Sequence, residues 1–373
     1  LTANPDTWAG TVFFQTFDEN DGLFDHFPPA APPSYNADGT LAGKATLALP
    51  GHYFDDHEDK YLSRDDSISG TTRPFGLGPR VPMYVVSPWS KGGWVSSEVF
   101  DHTSVGQFLE QRFGVTIPAI SPWHRSVCGD LTSCFDFAKG ADAAFPALPD
   151  VSGSTTVLGA HLQRPKALPP RAPQDLFQEK GIRRSRALPY ALHVDARIDS
   201  ADKTVALDFI NQGSAGAVFH VYDKLNLDRI PRRYTVEAGK AIDDRWSVGP
   251  DGGFDLWVLG LNGFHRAVRG ALAEAVREPA MTARYDRKRG GLAFTFVNTG
   301  GDAQEAKIFR DAYVATTAKS VTVESRGKAV ETWPAPKEHD WYDVTVALPG
   351  MEVRLAGRIE RGTHGISDPL TSA

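Results

Sequence analysis

The C-terminal half of the chain repeats itself, and that repeat limits the architectures open to it. Ala196-Arg197-Ile198-Asp199 returns as Ala283-Arg284-Tyr285-Asp286 at a spacing of 87, and Phe209, Asn211 and Gly213 return as Phe296, Asn298 and Gly300 at the same spacing. Gly239-Lys240-Ala241 comes back as Gly327-Lys328-Ala329 and Asp255 as Asp343, now at 88, so one insertion separates the halves. Each unit holds alternating apolar runs such as Val205–Ile210 and Leu292–Val297, followed by Asn-x-Gly turns. Short strands at this spacing predict two small all-β sandwiches, over 188–275 and 276–373. Each is expected to pack its own core and to superpose on the other, with a linker near Glu278-Pro279 that tolerates cutting. Asn211-Gln212-Gly213 and Asn298-Thr299-Gly300 read as turns rather than sites.

Upstream the pattern changes. Residues 1–140 alternate strand and helix words: Met83–Val86 reads as a strand, and Val105–Phe113 as an amphipathic helix capped at Thr103 or Ser104 and ended by Gly114. The stretch from Gly39 to Gly78, rich in Asp, Gly and Pro, is expected to be an excursion or lid. Residues 141–187, with Pro165, Pro169, Pro170 and Pro173, read as a proline-rich strap. The 35 Gly and 26 Pro agree with a turn-rich, largely β molecule. A net charge of −6 offers nothing to nucleic acid or to an anionic membrane. No apolar run approaches the length of a membrane span. Cys128 and Cys134 are too few for a disulfide scaffold; a bridge closing a small loop and two buried thiols both fit.

The chemistry concentrates near the start. Thr11-Val12-Phe13-Phe14 reads as a strand, and it runs into Asp18-Glu19-Asn20-Asp21-Gly22 and then Asp25-His26 before a proline turn. In an open α/β sheet, strand ends are where ligands bind. Neighbouring carboxylates repel unless a cation sits between them, so a hard oxygen-seeking metal or a mixed oxygen/imidazole site is the natural resident. The spacing of a calcium loop is not met, and an acidic turn without a ligand is the alternative. His52, Asp55, Asp56, His57, Glu58 and Asp59 make a second metal-like cluster, best read as a solvated acidic loop.

These words, together with Arg80–Trp89, Val99-Phe100-Asp101-His102-Thr103-Ser104, Cys128–Ser133, Gly357–Glu360 and Ser367-Asp368-Pro369, occur in order over nearly the whole chain. In this the chain resembles the bacterial phosphoesterase family that includes phosphatidylcholine-hydrolysing phospholipases C and a related acid phosphatase, within the alkaline-phosphatase superfamily. The resemblance implies a partial α/β alkaline-phosphatase-like sheet over 1–140, ahead of the two β-sandwiches, which match the duplicated tail of those phospholipases. It implies hydrolysis of a phosphodiester through a covalent phospho-enzyme, assisted by a divalent metal ion. Asp18 and Glu19 match the family's Asp-Glu metal-ligand pair, and Asn20 and Asp21 are placed to orient it. His26 and His102 are the catalytic candidates. For His26 a backbone contact is an equal reading, and for His102 a structural place at the helix entrance is the stronger one.

The family pattern also has a Glu-Asn metal motif and a Ser or Thr nucleophile upstream of this point, and only seventeen residues precede Asp18. The expectation is therefore a C-terminal portion whose partner is a missing N-terminal catalytic half. The implied substrate is a phosphocholine lipid, phosphatidylcholine or sphingomyelin, met peripherally at a membrane surface by a secreted or periplasmic protein. Phe264-His265-Arg266 and Trp341-Tyr342 fit core packing first, and choline headgroup contacts as the sharper alternative. A non-catalytic lipid-binding or assembly fragment and an acid-phosphatase-like phosphomonoesterase are the competing functions.

Overall fold

The computed structural model describes residues 2–25, 27–55, 72–145, 147, 150–154, 159, 168, 171–172, 180–272, 279–313 and 318–372. His26, Asp56, His57, Glu58, Asp59, Glu278 and Pro165, Pro169, Pro170 and Pro173 of the strap lie outside the described residues.

The repeat is real, and it builds one body rather than two. The first copy supplies β8 (Leu192–Asp199), β9 (Thr204–Asn211), β10 (Ala217–Asp223), β11 (Arg232–Val236), β12 (Ala241–Ser247), β13 (Gly253–Leu259) and β14 (His265–Ala271). The second supplies β15 (Pro279–Asp286), β16 (Gly291–Asn298), β17 (Gln304–Arg310), β18 (Lys319–Val323), β19 (Lys328–Pro334), β20 (Trp341–Leu348) and β21 (Met351–Arg358). Strand order in the six-stranded sheet is 12-9-8-15-16-19, and the ten-stranded sheet runs 18-17-20-21-14-13-10-11 before two further strands. Each order reads as its own mirror image about the junction of the copies, which is a pseudo-two-fold axis. In the larger sheet the axis passes between β14 and β21, which pair antiparallel from His265↔Ala356 to Gly270↔Met351. In the smaller sheet β8 and β15 meet at one pair, Met281↔Ala196, with Arg284 holding Asp195 through both carboxylate oxygens.

Apolar residues alternate inward along these strands, so the space between the sheets fills with side chains from both copies, among them Phe209, Phe219 and Tyr234 with Phe294, Phe296 and Ile308. The expectation of two separately packed sandwiches is thereby corrected: the sheets do not stop at the repeat boundary, because strand edges left open at the seam are satisfied by the other copy. The Asn-x-Gly turns are reproduced in detail. Asn211 Nδ2 donates to Ala215 O at 2.8 Å and Val236 O at 3.0 Å, and Asn298 Nδ2 to Asp302 O at 2.8 Å and Val323 O at 3.1 Å. Each Asn Oδ1 accepts the Gly N–H two residues on at 2.9 Å. Both amides are buried, and a Cβ on Gly213 would meet Pro189 O at 2.3 Å, so the turn chemistry admits no larger residue there.

The first 140 residues hold less regular sheet than expected. Strands β1 (Phe13–Thr16) and β6 (Met83–Val86) form an antiparallel pair, from Phe13↔Val86 to Thr16↔Met83, which no further strand joins among the described residues. One face of the pair, with Phe14, Met83 and Val85, packs on Phe108 of α2 (His102–Phe113) and on Phe135. The other face leaves Phe13, Tyr84 and Val86 exposed, and β1 is followed by exposed Phe17. An α/β sheet is thus present among the described residues only as this ribbon, since a parallel sheet needs strands apolar on both faces and crossover helices. Helix α2 starts one turn earlier than its sequence suggests: the Asp101 N–H donates to Ser104 Oγ at 3.1 Å while Asp101 Oδ1 takes the Thr103 hydroxyl at 2.6 Å, making Asp101 the cap. Gly114, at φ 65°, ends it as expected.

Part of the expected excursion is sheet. β2 (Ser34–Tyr35) and β3 (Leu41–Ala45) extend the ten-stranded sheet, β3 running parallel to β11 from Arg233↔Gly43 to Thr235↔Ala45. Gly43 sits at φ 119°, and a Cβ there would meet Arg233 O at 1.9 Å. The pairing therefore requires glycine. Short helix α3 (Pro122–Val127) then seats the whole N-terminal region on the outer face of β10 and β11: Trp123 is fully buried beside Val127, Cys128 and Val218, and its Nε1 donates to Thr235 Oγ1 at 3.1 Å. Both cysteines are free and buried, which decides for two thiols over a bridge.

Candidate functional site

The turn after β1 is set by its own residues. Asp21 at φ 50° and Gly22 at φ 75° occupy consecutive left-handed positions, as a type I′ turn demands. The Leu23 N–H closes that turn on Asn20 O at 2.8 Å, and Asn20 Nδ2 returns a bond to Leu23 O, also at 2.8 Å. Asn20 and Asp21 therefore shape the loop. Asp18 and Glu19 precede it, exposed, with the Glu19 N–H on Asp18 Oδ1 at 3.1 Å. Asp25 closes the segment through Arg80, and its Oδ1 takes the Phe27 N–H at 3.1 Å.

Helix α2 brings His102 to this loop. Its Nε2 lies 3.1 Å from Asp18 O, and a carbonyl only accepts, so Nε2 carries the proton and a neutral ring keeps Nδ1 as an acceptor. Two residues 84 positions apart are thus joined where β1 ends and α2 begins. Among the described residues no group of three or more His, Cys, Asp or Glu side chains is placed to hold a metal ion. The Asp18 and Glu19 carboxylates, both open to solvent, suit a hard cation as two donors of a larger set.

Behind His102 runs a polar chain that sequence reasoning missed. Asp101 Oδ2 lies 3.5 Å from His124 Nε2; His124 Nδ1 is 2.9 Å from Ser121 Oγ, which is 2.7 Å from His52 Nε2. His52 is buried and packs, tilted, against both Trp123 and His124 at 5.2 Å between ring centroids. Burial, and then the nearby His124, hold its pKa below the ordinary imidazole value. His52 thus belongs to the packing of α3 and not to an acidic loop. Asp101 lies inside a word that the sequence did mark and His124 outside any, and only the fold of α2 against α3 shows that they meet. Nearby Glu98 takes the Ser133 hydroxyl, and burial raises its pKa.

Comparison with known proteins agrees with this division of the chain. Residues 1–116 match the Phosphoesterase family, and residues 184–271 and 279–358 each match the bacterial phospholipase C, C-terminal domain. A non-hemolytic phospholipase C of Pseudomonas aeruginosa is 43% identical over 99% of this chain and 53% of its own length. A non-hemolytic phospholipase C of Burkholderia pseudomallei is 40% identical over 99% of this chain and 52% of its own, and a hemolytic phospholipase C of Pseudomonas aeruginosa 35% identical over 99% and 53%. The chain spans about half the length of these relatives. The chain thus joins a segment of the Phosphoesterase family to two copies of the bacterial phospholipase C, C-terminal domain.

Proposed function

We propose that this chain serves a phospholipase C reaction, the hydrolysis of the ester bond between phosphocholine and the lipid alcohol, diacylglycerol in phosphatidylcholine or ceramide in sphingomyelin. The observation that carries the reading is the end-to-end likeness to phospholipases C, joined to the meeting of Asp18 and His102 at one loop. Asp18 and Glu19 would hold a divalent cation. Such an ion, when bound, polarises a phosphoryl oxygen. The type I′ turn built by Asn20 and Asp21 fixes the backbone that carries both carboxylates, while His102, tied by Nε2 to Asp18 O, presents Nδ1 as a proton acceptor. His26 completes the proposed set. The chain is proposed to act as a portion of the enzyme, with the nucleophile and the remaining metal donors on further phosphoesterase sequence. What supports this is coverage of about half of each relative, together with the bare Phe13–Tyr84–Val86 face that further sheet would cover. The proposed setting is outside the cytoplasm, secreted or periplasmic, at the surface of lipid.

The test joins metal binding to turnover. Calorimetry with zinc or calcium should show binding that D18N and E19Q each weaken, and p-nitrophenyl phosphocholine should not be turned over by these 373 residues alone. Metal-dependent turnover by the chain alone would overturn the proposed incompleteness. Unchanged metal binding in both variants would remove Asp18 and Glu19 as ligands. Binding of phosphatidylcholine vesicles without turnover, even after the remaining phosphoesterase sequence is supplied, would favour the non-catalytic lipid-binding alternative.

A further inference from the structure

A second cluster of charge lies away from the Asp18 loop, where the N-terminal region meets the C-terminal tail. Strand β7 (Arg184–Ser185) pairs with β22 (Gly365–Ile366), and on its other side the Val95 N–H donates to Arg184 O and the Arg186 N–H to Val95 O, both at 2.8 Å. Strand periodicity puts Arg184 and Arg186 on one side, and both guanidinium groups lie over the Trp94 ring, at 5.6 Å and 4.7 Å from its centroid. The ring cannot swing away: its Nε1 donates to Lys91 O at 3.0 Å, and Gly92 is so close that a Cβ there would lie 2.9 Å from that nitrogen. His364 packs on the same ring at 4.7 Å. Its Nδ1 accepts the Ala187 N–H at 3.1 Å, which leaves Nε2 as the donor of the neutral imidazole.

The charges here do not balance. Arg186 is 2% exposed, its Nε has no partner, and no carboxylate bonds it directly among the described residues. Asp136, whose charge acts on both Arg186 and His364, is already held by Lys139, whose side chain is largely exposed. Arg184 and His364 are exposed as well. In a chain of net charge −6, one spot thus gathers Arg184, Arg186 and Lys139 around a fixed indole with one carboxylate among them. Guanidinium groups stacked on an aromatic face keep their N–H edge for an oxyanion, and two of them with an imidazole donor suit a tetrahedral phosphoryl group.

We propose that the Trp94–Arg184–Arg186–His364 cluster is a phosphate-binding site separate from the Asp18 loop, touched at its rim by Arg184, Lys139 and His364 and held positive from beneath by buried Arg186. The ligand chemistry is a phosphomonoester or free phosphate oxyanion, from solution or from an exposed lipid headgroup. The inference does not rest on the proposed hydrolase activity, and its test needs no turnover.

The chain is titrated calorimetrically with inorganic phosphate and with glycerol 3-phosphate, and co-sedimented with phosphatidylcholine vesicles with and without phosphatidic acid. Saturable binding is expected, weakened roughly tenfold in R184A and again in R184A/K139A, the loss of one charge-assisted contact at each step. H364N should weaken it less. R197A, an exposed arginine on β8 paired with Asp208, should leave it unchanged and controls for bulk charge. Arg184 is exposed, so its variant is expected to fold; a thermal melt matching the parent confirms it. Binding of the soluble anions marks a free phosphate site, and binding of phosphatidic acid vesicles alone marks a headgroup site. The proposal is overturned if no ligand of the set binds saturably, or if R197A loses as much as R184A.

Discussion

The two copies of the repeat share a frame and differ on one face. Phe219 and Val221 of β10 point into the common core as do Ala306 and Ile308 of β17, and Asn211 and Asn298 stitch the same turns. On the outside they part. Val218, His220 and Thr235 are buried under Trp123 and its neighbours, whereas their counterparts Glu305, Lys307 and Thr322 face solvent. The inward half of the strand pattern is fixed by the sandwich, so it is kept in both copies. The outward half is free to follow whatever lies against it: apolar where the phosphoesterase region docks, charged where nothing does.

If the core is common property, Phe209→Ala in the first copy and Phe296→Ala in the second should each cost about 3–5 kcal/mol, and each should unfold both copies in one transition by urea titration. Two separable transitions, with only the mutated copy weakened, would restore the picture of independent sandwiches. The outer faces should answer unequally. Val218→Glu forces a carboxylate into the apolar contact beneath Trp123 and should cost about 3 kcal/mol or release the N-terminal region to proteolysis, while Glu305→Val should stay within about 0.5 kcal/mol. Equal sensitivity would mean the face of the second copy is covered too.

The smallest expected difference is one of pH. Burial, and then neighbouring Arg233, push the His220 pKa from 6.5 down to about 3. A folded pKa below the unfolded one means the unfolded chain takes up the proton first. Stability from this group is therefore complete above about pH 6.5 and declines as pH falls toward 3, by about 2 kcal/mol at pH 5. His220→Asn should flatten that part of the stability–pH curve, and Lys307→His at the exposed counterpart should add no slope to it. An unchanged acid slope in His220→Asn would show that the imidazole is not held neutral.

Much of this was legible beforehand, and the failures have physical causes. The 87-residue spacing gave the copies, and Asn-x-Gly gave their turns, because both are local. That β14 pairs with β21 was not legible, since an edge strand reads the same whether its partner belongs to its own copy or to the other. β3 was taken for loop because its parallel partner β11 lies some 190 residues away and leaves no mark on nearby periodicity. At the site, resemblance marked Asp18 and His102, and the fold brings His102 to Asp18 through a backbone oxygen that no motif encodes. His124 went unnoticed because a lone histidine in a six-residue helix carries no pattern.

The seam at β14 and β21 also bears on where the duplication came from. A single copy would show the β14 edge and the broad side of its core to water, and the cheapest remedy for such a unit is a symmetric homodimer through that same edge. A dimer falls apart on dilution. Joining the two units in one polypeptide replaces the bulk concentration of subunits by a fixed local one set by the connecting segment. The assembled sandwich then persists at any dilution. Once the two halves no longer had to be identical, only one of them had to carry a dock.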